Sequence, residues 1–354
     1  MIGRWLAGLA LLACGALSMA SPTTAQTATP IPMEAWNGYM ARFVDESGRV
    51  VDSANGGISH SEGQGYGMLL AYLAGDRSNF ERIWSFTRTE LLIRDDGLAA
   101  WRWDPNSTPR VTDVNAASDG DLLIAYALAR AGSAWNQQAY IDSAKKIARA
   151  VGQKLIVKDG SRLLLLPGIS GFSASERKDG PILNLSYWIF ETFPVMTRLA
   201  PEYDWAGVAN TGLELLSIAQ LGPARLPPDW ISAPAGKPVT VAEGFPPVFG
   251  YNSLRISLYL LRAGIENTAL QEPFRRNWLI DNGGTPAIVD IPTGRALTQL
   301  TDPGYRMLGA VLACALNATP IPADLRRFEP TLYYPSTLYL LGWALIAERY
   351  PKCL

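Results

Sequence analysis

Three stretches of the chain set charged or amide side chains where chemistry could be done. Ser61-Glu62-Gly63-Gln64-Gly65-Tyr66-Gly67-Met68 places one carboxylate among three glycines at the opening of an apolar helix. Ala117-Ser118-Asp119-Gly120-Asp121 opens a second helix, and Phe249-Gly250-Tyr251-Asn252-Ser253-Leu254-Arg255 a third. Ser61 and Gln64 have the spacing of a capping box, which leaves Glu62 in the first turn as the candidate acid. Ser118 and Asp121 repeat that spacing, so Asp121 is expected to complete a cap. Residues two apart on a helix point about 200° apart, so Asp119 and Asp121 cannot both face one cleft, and Asp119 is the acid left for function. Asn252 suits an N-cap. Arg255 in a first turn opposes the helix dipole, which predicts a carboxylate or a ligand hydroxyl beside it. A first-turn dipole also favours an ionised carboxylate, so a proton donor here needs burial or a neighbouring anion as an offset; Asp119 is the candidate anion.

Composition narrows the chemistry. The chain has one histidine, His60. A Ser-His-Asp triad could use only that residue, and a zinc site built from two or three histidines is excluded. Cysteine-based metal or redox motifs are absent, so no metal and no cofactor is expected. Carboxylates remain as the acid and base candidates, and a carboxylate pair is the equipment of a glycosidase. Formal charge is −1 with no basic run, which argues against nucleic acid or an anionic membrane surface as partner. An uncharged partner fits better, and with 11 Trp, 14 Tyr and 10 Phe there are rings both for a core and for stacking against sugars.

The elements that must position these residues read as helices. Met1-Ile2-Gly3-Arg4, an apolar run from Trp5 to Leu17 and small residues up to Ala25 have the layout of a secretory signal, with Leu11-Leu12-Ala13-Cys14 as a weaker lipid-attachment alternative. The run is too short for a good membrane span. Cleavage after Ala25 leaves 329 residues, expected as one catalytic domain over 26–354. Cys314 and Cys353 either pair or stay as buried thiols. Apolar residues recur at helical spacing over 34–45, 62–74, 79–92, 119–131, 136–152, 187–199, 205–219, 253–263, 267–279, 304–316 and 336–349. Strand-like runs are few, the best being Leu163–Leu166 and Ala287–Ile291. An all-α domain of helix hairpins joined by Gly/Pro-rich loops accounts for this. Residues 221–250, with seven prolines, read as a long surface loop. In Asp96–Pro105, Trp101 and Trp103 alternate with Arg102, so an extended segment would turn both indoles to one side, towards a sugar groove or a core edge.

The Ser61–Met68 octet, the Ala-Trp-Arg-Trp segment ending at Trp103 and the Ala117–Trp135 run resemble glycoside hydrolase family 8, within it the periplasmic endoglucanases that accompany bacterial cellulose synthesis. The resemblance covers nearly the whole chain after the signal. It implies an (α/α)6 barrel, inverting hydrolysis of β-1,4-glucan, and a cellulose synthase machinery as the associated partner, with a monomer expected. It also implies roles. Glu62 matches the general acid, and Asp119 the acid that binds and distorts the sugar at the cleavage point. Trp101, Trp103, Tyr187 and Tyr333 match or neighbour groove positions, Tyr66 is a further groove candidate, and Arg255 matches an arginine beside the base. The base position departs from the better-known pattern, since Asn252 stands where that branch has Asp, and a neutral amide cannot deprotonate water. Asp229 and Glu243, in the long loop upstream, are the candidate substitutes. Two alternatives follow: a chitosanase, lichenase or xylanase on the same fold, or a noncatalytic glucan-binding protein that has lost its base.

Overall fold

The computed structural model describes Met1 and residues 29–354, so the expected signal segment lies outside the described residues. Among the described residues eleven α-helices make up the frame: α1 (Met33–Phe43), α2 (Ser61–Leu73), α3 (Arg77–Phe86), α4 (Ser118–Ala134), α5 (Gln138–Leu155), α6 (Phe193–Leu199), α7 (Trp205–Ile218), α8 (Ile256–Arg262), α9 (Thr268–Phe274), α10 (Pro303–Asn317) and α11 (Tyr333–Arg349). Burial sorts them into two layers. α2, α4 and α11 are buried on nearly every side, as a helix that is apolar all round must be. α5 instead buries one stripe, Tyr140, Ala144, Ile147, Ala148, Val151 and Leu155, and shows polar residues outside.

The buried helices form a closed inner ring. α2 packs on α4, α4 on the segment 185–199 that ends in α6, that segment on α8, α8 on α10, α10 on α11, and α11 back on α2. α3, α5 and α7 lie outside against α2, α4 and α6. This is the (α/α)6 barrel, and the buried apolar side chains of both layers join in one continuous cluster. Cys314 of α10 is bonded to Cys353, just past α11, which ties the end of the chain to the ring.

Two expected helices are broken. In 187–199, 3-10 turns at Leu185–Tyr187 and Phe190–Thr192 precede α6, whose first turn contains Pro194; proline is accepted at a helix start and resisted further in. Residues 253–263 begin as a 3-10 turn, Ser253–Arg255, before α8.

Short antiparallel strands tie the loops. β1 (Ser59–His60) pairs with β2 (Arg102–Trp103), β3 (Ile156–Asp159) with β4 (Arg162–Leu165), and β5 (Ile182–Leu183), β6 (Ile231–Ser232) and β7 (Thr240–Val241) form one sheet. β8 (Val248–Phe249), β9 (Ala287–Asp290) and β10 (Ala296–Gln299) form another. The segment 221–250 is therefore no simple surface loop. It contributes β6, β7 and β8, and Leu226, Ile231 and Asp229 within it are buried.

Two glycines set how closely α2 and α4 approach. A Cβ at Gly65 would lie 2.5 Å from the Leu123 Cβ, and one at Gly120 would lie 2.6 Å from the Ser61 Cβ. Only glycine fits such contacts, and the Gly120 contact brings the first turns of the two helices, with Glu62 and Asp119, side by side.

Candidate active site

One end of the ring holds a cleft of about 620 Å³, and every inner element contributes a residue to it from its first turn or opening segment. Glu62 comes from α2, Asp119 from α4, Tyr187 from the segment before α6, Arg255 from the turn before α8, Tyr305 from α10 and Tyr333 from α11. The size is that of a small-ligand site. Further lining comes from Asp52, Asn55, His60, Trp101, Tyr251, Asn252 and Tyr334.

At the centre Arg255 joins the two acids. Its Nη1 donates to Glu62 Oε1 and its Nη2 to Asp119 Oδ2, the latter at 2.9 Å. The arginine side chain is 4 % exposed and that of Asp119 2 %, while Glu62 keeps 17 %. The partner expected for Arg255 is thus a pair of carboxylates. Asp119 Oδ1 also accepts the N–H of Gly120 at 2.8 Å. Burial, and after it the Glu62 carboxylate, push Asp119 up to about 7 against the pull of Arg255. Two carboxylates sharing one guanidinium carry a net −1 when both are ionised, which is why the more deeply buried Asp119 is pushed up despite Arg255. Glu62 Oε2, which Arg255 does not hold, lies 3.8 Å from His60 Nδ1.

Aromatic rings form the walls. Arg255 lies 5.8 Å from the centre of the Tyr187 ring. Tyr333 is 1 % exposed, and its hydroxyl is buried without a partner. Tyr251, Tyr305 and Tyr334 make a run of rings 6.0 and 6.2 Å apart. Sequence reasoning did not single out Asp52, His60 or Tyr305 for this site. His60 entered it only as a count, although its place directly before Ser61 marks it as a helix-cap position.

Several expectations are corrected. The capping boxes do not form. Gln64 Oε1 accepts the N–H of Val50 at 2.6 Å and its amide donates to Thr87 at 3.0 Å, so it braces the next layer instead of its own helix. His60 caps α2, its Nδ1 accepting the Gly63 N–H at 3.0 Å. Asp121 points away from Asp119, as expected, but accepts the N–H of Ala99 at 2.8 Å and caps nothing; burial drives its pKa well up. Asn252 does not cap α8 either. Asp229 Oδ1 accepts the N–H groups of both Gly250 and Ser253 at 2.9 Å, and Asp229 Oδ2 lies 3.4 Å from the Asn252 amide nitrogen. The loop acid thus stands behind the amide, and Asn252 faces the cleft.

Trp101 and Trp103 separate, because Trp101 sits at a bend outside β2. Trp101 lines the cleft, its indole N–H on Asp113 at 2.7 Å. Trp103 packs on Phe86 with Arg49 over its ring at 5.0 Å and its N–H on Glu90. Tyr66, one helical turn past Glu62, is fully buried inside the ring with its hydroxyl on Tyr259, and is not part of the cleft. Glu243 is exposed, outside the cleft lining, with its backbone held by Arg177 and Asp179.

The chain matches the profile of the Glycosyl hydrolases family 8 over residues 7–347. It is 38 % identical to a probable endoglucanase of Novacetimonas hansenii, over 92 % of this chain and 95 % of that one. Among solved structures it is similar to the endo-β-1,4-glucanase CMCax from Acetobacter xylinum, with a TM-score of 0.80 and 36 % identity, over 91 % of this chain and 98 % of that one. It is similar also to the family 8 endoglucanase Cel10 from Klebsiella pneumoniae, with a TM-score of 0.81 and 32 % identity, over 89 % of this chain and all of that one.

Proposed function

The chain belongs to the glycosyl hydrolases of family 8 and is a glycoside hydrolase, and from that premise we propose that it cleaves internal β-1,4 bonds of an uncharged glucan with inversion. The observation that carries the residue assignment is the Glu62–Arg255–Asp119 triad at the floor of an aromatic-walled cleft.

Glu62 is the proton donor. It acts through Oε2, the carboxyl oxygen that Arg255 does not hold, and in that role it carries its proton there, in the cleft. As the bond to the leaving sugar breaks, that proton passes to the glycosidic oxygen while water attacks the anomeric carbon from the opposite face. Asp119 accepts from sugar hydroxyls at the point of cleavage and offsets the positive charge that develops on the ring. Arg255 fixes both carboxylates, and the part-exposed rings of Trp101 and Tyr187 hold the flat faces of the glucan. The unpartnered Tyr333 hydroxyl supports a hydrogen bond to a bound sugar.

The water needs a second carboxylate. Neither acid lines the cleft, and Asp229 is favoured over Glu243 because it lies against Asn252, which does, while Glu243 is exposed. Asn252 would then hold the water, and Asp229 Oδ2 would have to take its proton directly, because the amide N–H only donates to Oδ2 and passes no proton on. A noncatalytic glucan-binding role is the second reading, and Asn252 is its one support. Residues 26–354 act as a single catalytic unit behind a secretory signal at 1–25, and the Cys314–Cys353 bridge supports an oxidising, exported setting. Among the described residues no helix is long and apolar enough to cross a membrane. The partner we infer besides the glucan is a cellulose-synthesising assembly.

The test is release of reducing ends from carboxymethyl cellulose and cello-oligosaccharides, with the anomer of the first product recorded and Glu62→Gln alongside. α-Anomeric product that vanishes in the variant is expected. Binding without release in both proteins would leave the glucan-binding reading. Equal rates on chitosan, xylan or mixed-linkage glucan would move the substrate class. For the base, Asp229→Ala should regain turnover with azide as the nucleophile, giving the α-glycosyl azide, and Glu243→Ala should behave as wild type.

A further inference from the structure

The one histidine of the chain stands directly before the acid's helix. His60 is the N-cap of α2, and its Nδ1 accepts the Gly63 N–H at 3.0 Å. An Nδ1 that accepts carries no proton, so the ring is neutral with its proton on Nε2. That Nε2 faces Asp52 Oδ2 at 3.4 Å. Asp52 is itself fixed, its Oδ1 accepting the Ala54 N–H at 3.1 Å and its own N–H donating to Ile58 at 2.8 Å. The edge of Tyr333 closes the other side, with ring centres 5.7 Å apart. There is no slack at Gly63, where a Cβ would lie 3.2 Å from the imidazole and 3.0 Å from the Tyr333 hydroxyl.

Histidine is an uncommon choice for such a cap. Ser, Asp and Asn cap at neutral pH with oxygen acceptors, whereas imidazole caps only while Nδ1 is unprotonated. We propose that His60, backed by Asp52, is a positioning residue for the proton donor: the neutral ring holds the first turn of α2 beside the cleft, and protonating it releases that turn and sets a cation against Glu62. The inference rests on the reading of Glu62 as the donor. It differs from that reading in acting through a group that never touches the glycosidic oxygen.

The geometry provides both states. When Nδ1 gains a proton, two donors face each other across the Gly63 contact and the cap is lost. The nearest new acceptor is Glu62 Oε2, 3.8 Å away. Glu62 is already bonded to Arg255, and a second cation favours its ionised form and removes it as a donor. The charged and titratable groups facing the ring are Asp52 from the loop, Glu62 from α2, Asp119 from α4 and Tyr333 from α11, with Arg255 beyond Glu62. Burial opposes the imidazolium, but Asp52, Glu62 and Asp119 together outweigh it and raise the His60 pKa. The ring therefore takes its proton at a higher pH than an ordinary histidine, and activity is expected to fall as pH drops through that transition, in a step that belongs to His60.

The experiment compares kcat and KM against pH on a soluble cello-oligosaccharide for the wild type, His60→Ala, His60→Asn and Asp52→Asn, with thermal melts of each. His60→Ala is expected to lose about tenfold or more in kcat at all pH values with KM nearly unchanged, since a misplaced donor costs turnover and not binding. His60→Asn supplies a cap that cannot be protonated, so it should recover most of the lost kcat and move the acid limb down by roughly a unit or more. Asp52→Asn should also move that limb down, because the imidazolium loses its counter-charge. If His60→Ala fails to fold, the acid limbs of the other two variants still decide. An acid limb unmoved in both His60→Asn and Asp52→Asn overturns the proposal. Wild-type turnover in Glu62→Gln would instead remove the donor, and this inference with it. An inactive Glu62→Gln beside an unmoved acid limb overturns the positioning role alone.

Discussion

Replacing Asp119 by Asn should make the protein more stable in alkaline solution while abolishing turnover. Asp119 is 2 % exposed and its carboxyl is pushed from 3.8 to about 7, first by burial and then by Glu62. A folded-state pKa above the unfolded one contributes stability that is complete below the unfolded value and is lost as pH rises through the folded value. In the wild type that window runs from near 4 to near 7. A shift of about three units at about 1.4 kcal/mol each gives a loss of roughly 4 kcal/mol across it, as an upper figure for a buried carboxyl beside a second one. For a chain of this size that is about 6 °C in melting temperature. Asp119→Asn has no proton to lose and keeps one oxygen for Arg255, so its stability curve should be nearly flat where the wild type falls. The two should match near pH 4 and diverge by several degrees at pH 8. Urea titrations at pH 4, 5.5, 7 and 8 measure this directly. Parallel curves over the whole range would refute the argument, because they would mean that the buried carboxyl ionises in the folded protein as freely as in the unfolded one.

Other perturbations test the same frame. Arg255→Met leaves two acids facing each other without a cation, and removing one partner of a buried ion pair costs about 3–5 kcal/mol; the loss should be smaller at pH 5 than at pH 8, because the carboxylates can then take up protons, and turnover should be absent at both. Gly120→Ala puts a methyl 2.6 Å from the Ser61 Cβ and 2.7 Å from the Glu62 backbone nitrogen, so it should destabilise by about 1–3 kcal/mol and lower kcat more than it raises KM. Opening the Cys314–Cys353 bridge, which spans 39 residues, should cost about 4 kcal/mol on the chain-entropy account, read as the melting-point difference with and without reductant.

The helices were legible because the inner ones are apolar on all sides and the outer ones on one, a signal carried by residue type alone. The ends of the helices were not. Ser61 with Gln64, and Ser118 with Asp121, have the spacing of local caps, yet Gln64 and Asp121 both bond to other segments, Gln64 to Val50 and Asp121 to Ala99. A spacing rule sees only partners in its own turn, and in a ring of inner helices the competing partners come from other elements. The same limit hid the separation of Trp101 from Trp103, since a bend before β2 turns one indole to the cleft and leaves the other between Arg49 and Arg110. Tyr66 was a groove candidate through the resemblance alone, and the glycines on either side of it mark where α4 and the loop at Val50 press on α2.

At Asn252 this limit bears on mechanism. Read alone, Asn for Asp at that position keeps a helix cap and discards a base. In the structure the cap is made by Asp229 from the preceding loop, which frees Asn252 to face the cleft and sets a carboxylate oxygen 3.4 Å behind its amide nitrogen. A capping contact needs a fixed acceptor and a base needs a nearby carboxylate, and Asp229 presents a separate oxygen to each. Its Oδ1 is committed to the backbone of Gly250 and Ser253, so only Oδ2 can take part in chemistry. Truncating Asp229 therefore disturbs the start of α8 as well as the proton path, whereas Asp229→Asn, oriented with its carbonyl towards the two N–H groups, preserves the turn and removes the acceptor. Retained melting temperature with lost turnover in Asp229→Asn would separate the two roles; retained turnover would leave the cap as the whole of what Asp229 does.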